Sequence, residues 1–178
     1  MKRLLTTVAL ACVTLFAVAQ NSILRPRVDI AQVESDDVIE MEVFYMNDES
    51  PRMYYLSVGN LGVGSDIVQV HFDPVYELFI PLGTSLDEAV ARMEQLKAYF
   101  KMPRRTTTGV MGYFSIANPS GEMVPVTITT RRFLFTRILE FSLPTDADGV
   151  VRATHISRAE FRSLLSGVKI YRKIHPNE

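Results

Sequence analysis

The chain has 178 residues, with 19 Lys and Arg against 20 Asp and Glu, a formal net charge of −1, and 47% hydrophobic residues. That length suits one domain with its own core, and the near-neutral balance argues against a surface built for nucleic acid. The one cysteine, Cys12, lies in the leader, so residues 20–178 offer no thiol for disulfides, thiolate catalysis or thiolate-bound metals.

The order of elements begins with Met1-Lys2-Arg3, a basic start to the apolar run 4–18, which ends in the small-x-small pattern Ala17-Val18-Ala19. This predicts a signal peptide over 1–19 with Gln20 as the new N-terminus. The run is shorter than the roughly 20 residues a bilayer requires. A lipid-bearing Cys12 fits less well, because Ala9-Leu10-Ala11 precedes it and apolar residues follow it. No later stretch is long and apolar enough to span a membrane. The expected address is the bacterial periplasm, the outer-membrane periphery or the cell exterior.

Residues 21–35 show no clear period and read as an edge strand or an extended arm. Over 38–45 the alternation is clean: Ile39, Met41, Val43 and Tyr45 on one face, with Glu40, Glu42 and Phe44 on a face expected to be solvated. Asn47-Asp48-Glu49-Ser50-Pro51 is turn chemistry and 52–58 the return strand, which makes a hairpin. Gly62-Val63-Gly64 lies in a glycine-rich loop. A strand rather than a helix follows it, and there is no Gly-Lys-Ser/Thr, so it reads as a turn and not as a phosphate loop.

Two strands, 67–72 and 76–82, then lead into a helix expected to organise the core. Ser85 with Glu88 three residues on is a capping box. Leu86, Ala89, Val90, Met93, Leu96 and Phe100 form one apolar stripe, and Pro103 ends the helix. Beyond it, 110–117 and 123–130 read as a hairpin turning at Asn118-Pro119-Ser120-Gly121, and 133–143 as the most apolar strand. A short strand is predicted over 150–155. A second capping box, Ser157 with Glu160, opens a short helix with Phe161, Leu164 and Leu165 inward. Gly167 stands where a left-handed helix cap belongs, and 168–174 closes as a strand. The sum is α+β: an antiparallel sheet of several hairpins with one long and one short amphipathic helix packed against it, in a single domain over 20–178. Two halves, 20–103 and 104–178, are the alternative division, each a set of strands followed by a helix.

Little in the chain speaks for catalysis. His71 and Asp73 share a strand face, but a catalytic zinc requires three ligands, and His155 and His175 have no spacing that adds one. There is no Gly-x-Ser-x-Gly elbow and no cofactor motif. Charge is segregated, however. Nine acids between 28 and 66 stand against Arg52 alone, and eight bases between 92 and 137 against Glu94 and Glu122. Arg137 falls on the apolar face of Phe133, Phe135, Leu139, Phe141 and Leu143. Either a bulge shifts the register there, the preferred reading, or a cavity holds the guanidinium ready for an anion.

Arg104 and Arg105 follow the long helix directly, and Arg131 and Arg132 sit between two paired strands. With Arg137 they form the candidate ligand-binding cluster, suited to carboxylated or phosphorylated polymers because the planar guanidinium binds such groups bidentately. The simpler reading is that acids from 28–66 neutralise the cluster within the fold. The sequence thus predicts a non-catalytic binding or protein-interaction module of the cell envelope, with an envelope protein or an anionic glycan as partner and no nucleic acid. The alternative is a hydrolase of an envelope polymer or glycan, which would need His71 or His155 to meet an acid in a cleft.

Overall fold

A computed structural model describes residues 26–35, 38–59, 62–63, 76–115 and 118–176. The period-2 segments become strands: β1 (Arg27–Ser35), β2 (Val38–Met46), β3 (Tyr54–Val58), the two-residue β4 (Gly62–Val63) and β5 (Glu77–Gly83). Helix α1 (Leu86–Tyr99) follows, then β6 (Thr107–Ser115), β7 (Met123–Phe133), β8 (Thr136–Ser142), β9 (Arg152–Ser157) and the closing helix α2 (Arg158–Ile174). All join one sheet in the order β1-β2-β3-β5-β6-β7-β8-β9-β4, and every pair is antiparallel. With two helices against one antiparallel sheet, the fold is α+β. Strands β1, β2, β3 and β5 are neighbours, as are β6 to β9, with β5 joining β6 at the middle of the sheet and the short β4 crossing to the far edge beside β9.

One face of the sheet carries the main core. Met41, Val43 and Tyr45 of β2, Leu56 of β3, Leu78 and Ile80 of β5, Ile128 of β7, Leu139 and Phe141 of β8 and Ile156 of β9 all turn to the helices. The α1 stripe is buried as its spacing predicts, from Leu86 through Met93 and Leu96 to Phe100. Helix α1 packs on β3 and β5, while α2 touches β1 and β2 at one edge and β8 and β9 near the other, so the sheet curls around the helices. Phe100 and Phe161 bring the two helices together, with ring centroids 5.7 Å apart. Arg172 to Asp87, at 2.9 Å, and Lys169 to Glu94 tie their outer surfaces.

Both N-caps form. Ser85 Oγ accepts from the Glu88 N–H at 3.2 Å, and Ser157 Oγ from the Glu160 N–H at 3.2 Å. The second is a full box, since Glu160 reaches back to the Ser157 N–H at 2.7 Å. In the first, Glu88 reaches one residue further and accepts from the Thr84 N–H at 2.6 Å, a bond that holds its carboxyl below the usual range.

Four expectations are corrected. The segment 168–174 is no strand: α2 runs on to Ile174 and is the longer helix, because Phe161, Leu164, Leu165 and Val168 keep one buried stripe through Gly167. Gly167 is no cap; a Cβ there would come within 2.8 Å of the Ala31 Cβ, so its bareness lets α2 close on β1. Gly62 and Val63 do not turn but pair with Ala153 and Arg152 of β9. The apolar stretch 133–143 is split, with Phe133 ending β7 and Leu134-Phe135 forming the turn into β8. Two predicted features, the signal peptide at 1–19 and the strand at 67–72 with His71 and Asp73 beside it, lie outside the described residues.

Candidate functional site

The β7–β8 hairpin runs past the end of the core. Its register is unbroken from Thr127 opposite Ser142 to Phe133 opposite Thr136, so no bulge occurs at Arg137. Arg137 does share the face of Leu139 and Phe141, but beyond the apolar layer, where α1 ends. There its Nη1 donates to the Phe100 carbonyl at 2.8 Å and the Met102 carbonyl at 3.0 Å. Thr130, one pair deeper on the same face, donates its hydroxyl to the Tyr99 carbonyl at 3.0 Å. The strands thus satisfy the carbonyls that a helix C-terminus leaves open, and a cation meets the negative end of the helix dipole.

Directly across the ladder from Arg137 stands Arg132. Two like charges at one cross-strand position repel, and among the described residues no acid pairs with either of them to offset the cost. Arg132 donates through Nε to the Leu134 carbonyl at 3.1 Å. Arg131, on the other face, pairs with Glu140 at 2.7 Å. Arg104 and Arg105 have no side-chain partner among the described residues; Arg105 is held by its backbone, whose N–H donates to the Thr130 carbonyl at 2.8 Å. Arg104, Arg131, Arg132 and Arg137 line one depression of about 420 Å³ together with Thr130, Met102 and Phe135. Arg105 is next to it in sequence but not in its wall.

Five arginines far apart in sequence are therefore at one end of the sheet, four of them around one hollow. The acids of 28–66 do not neutralise them among the described residues. Glu42 pairs with Arg27, and Glu49 takes the Tyr55 hydroxyl. What the sequence reading missed is the apolar apex. Phe133, Leu134 and Phe135 are 59%, 74% and 92% exposed, and Met102 beside them 41%. Leu134 also adopts a left-handed backbone with φ of 51°. A leucine there costs on the order of 1 kcal/mol relative to the residues that prefer such turns. The signal that could have found the turn was the pairing length: β7 and β8 match only if two residues between Phe133 and Thr136 reverse the chain.

A second polar cluster lies on the opposite sheet face near β1. Arg27 donates to Glu42 and to Glu77, each at 2.9 Å, and stacks over the Phe44 ring at 4.5 Å. Ser57 Oγ donates to Glu77 at 3.3 Å. Glu42, expected on a solvated face, is 3% exposed, because Phe44, Met46, Tyr55 and Phe79 form a small second core around it. That burial pushes its carboxyl from 4.5 up to about 7, and the charge of Arg27 offsets only part of the rise. With its groups bonded to one another, this cluster is a structural network.

Neither described histidine lines the arginine hollow. His155 stands opposite Glu140 on the ladder and near the Phe133 ring at 6.2 Å, and His175 stacks on Tyr171 at 4.2 Å. Among the described residues no three His, Cys, Asp or Glu side chains gather as a metal site would require, and no helix is long and apolar enough to cross a membrane. Compared with protein-family models, curated proteins and solved structures, the chain matches none.

Proposed function

We infer that the protein is a non-catalytic binding module of the bacterial envelope, exported by its leader, whose arginine hollow holds phosphate or carboxylate groups carried by an envelope component. The observation that supports this most directly is the gathering of guanidiniums around one hollow, with Arg132 directly across the ladder from Arg137 and Arg104 in the same wall. Arg137 is partly compensated by the carbonyls at the end of α1, but the like charge of Arg132 opposite it remains a cost that a bound anion reduces.

Retention on an immobilised anionic polysaccharide tests the reading. The wild type is expected to bind at low salt and to elute as salt rises. Arg104→Glu with Arg132→Glu should flow through with a melting temperature close to that of the wild type, since neither side chain supports the core. Equal retention of the variant, or none by the wild type, overturns the assignment.

A further inference from the structure

The apex of the β7–β8 hairpin combines three features that a merely structural turn does not need. It carries three consecutive apolar residues, Phe133, Leu134 and Phe135, at the most exposed point of the strand pair. It places Leu134 in a backbone conformation that glycine or asparagine takes with less strain. And it is collared by cations: Arg131 and Arg132 precede it, Arg137 follows it, and Arg104 shares the hollow that Phe135 lines. Glu140 pairs with Arg131, so Arg132, Arg137 and Arg104 are the collar cations without a carboxylate partner among the described residues.

We propose that this tip is a membrane-contact element: Phe133, Leu134 and Phe135 enter the interfacial layer of an anionic bilayer while the arginines behind them take its lipid phosphates. The proposal rests on the anion-binding reading above and names the partner of that site. Its order of chemistry matches a leaflet read from the inside outward, apolar first and then cationic. At a strand rise of about 3.3 Å per residue, Arg131 and Arg132 sit roughly 3–7 Å behind Phe133. Interfacial segments bury their apolar face about 5–10 Å into the boundary of headgroups and acyl chains, so tip and collar reach their layers together. Phenylalanine and leucine suit the apolar side of that boundary, and guanidiniums suit the phosphates. A soluble macromolecule is a poorer match, because the apolar residues form a protrusion rather than a groove that could receive one.

The chain contains no tryptophan, so Phe135→Trp makes the tip its own reporter. The probes are vesicles of phosphatidylglycerol and phosphatidylcholine in equal parts, vesicles of phosphatidylcholine alone, and soluble glycerol phosphate. The expected result is a blue shift of the introduced indole and its quenching by brominated acyl chains on the anionic vesicles, with neither on neutral vesicles nor with glycerol phosphate. Phe133→Ser, Leu134→Ser and Phe135→Ser combined should weaken co-sedimentation with anionic vesicles by about tenfold or more, while retention on the anionic polysaccharide persists. Polysaccharide retention without any vesicle binding by the wild type overturns the membrane assignment and leaves the anion site standing. Loss of both in the wild type removes the two together. Vesicle binding that is equal in the serine variant, or that leaves the indole emission unshifted, also overturns the proposal. So does a wild-type dimer in sedimentation that the serine variant dissolves, which would assign the tip to a second copy of the chain.

Discussion

Near the β1 edge, Arg27 lies over the Phe44 ring and donates to two carboxylates, whereas at the β7–β8 tip Arg132 and Arg137 face each other and neither pairs with an acid among the described residues. The aromatic residues divide in the same way. Phe44 and Phe79 are fully buried under the first arginine, while Phe133 and Phe135 stand in solvent beside the others. Both regions are built from strands of one sheet and from the same two residue types. The first region closes its charges and rings on one another and so contributes to stability; the second bonds its arginines mainly to backbone carbonyls at the surface and leaves its rings exposed.

Truncating a ring in each region should break the comparison most visibly. Phe79→Ala, which empties the second core, is expected to cost about 3–5 kcal/mol in denaturant melts. Phe135→Ala should stay within about 0.5 kcal/mol of the wild type. Similar losses at the two positions would mean that the tip is packed in solution.

The arginines separate by pH as well as by size of effect. Because burial raises the Glu42 carboxyl to about 7, the folded protein keeps a proton that the unfolded chain releases near 4.5. Stability contributed by this group is therefore complete below about 4.5, is lost as pH rises toward about 7, and is level above that, a change of up to about 3 kcal/mol. Urea melts across that window should show the slope in the wild type and a flat response in Glu42→Gln. Removing the partner charge with Arg27→Met should cost on the order of 3 kcal/mol at pH 8, where Glu42 is ionised, and much less at pH 4.5. Arg132→Met should move stability by less than about 0.5 kcal/mol at either pH. A slope that survives Glu42→Gln would place its origin elsewhere.

The smallest expected effect has the opposite sign. Leu134→Asn places a residue that tolerates left-handed backbone at φ of 51° and should stabilise the fold by about 0.5–1 kcal/mol. A loss of stability in thermal melts would show that the leucine side chain packs on something within the fold.

The sequence was most legible where a local period met a local stop. The strand over 76–82, the α1 stripe from Leu86 to Phe100 and both N-cap serines needed only neighbours within a few residues. The arginine cluster was legible for a related reason, since a helix end and a hairpin turn place their flanking residues at an end of the sheet. Failures came where a distant residue decides. Gly167 obeys a helix-cap rule locally, yet its role is the approach of Ala31, more than a hundred residues away. Glu42 looks solvated until Arg27 crosses from β1 to cover it. Phe133-Leu134-Phe135 reads as core by composition, because apolar character alone does not say on which side of a turn a residue falls.

The closure of α2 on β1 has a consequence in time. Val28, Ala31 and Val33, on the first described strand, rest against a core that includes Phe161, Leu164 and Val168 of the last helix. Bringing those ends together closes a loop of nearly the whole described chain, which is slow compared with forming any single hairpin. While the chain is being made, residues such as Leu139, Phe141 and Ile156 have no α2 to cover them. Until α2 forms, the apolar face of β8 and β9 therefore stays uncovered, so the last described helix is the element that completes the core.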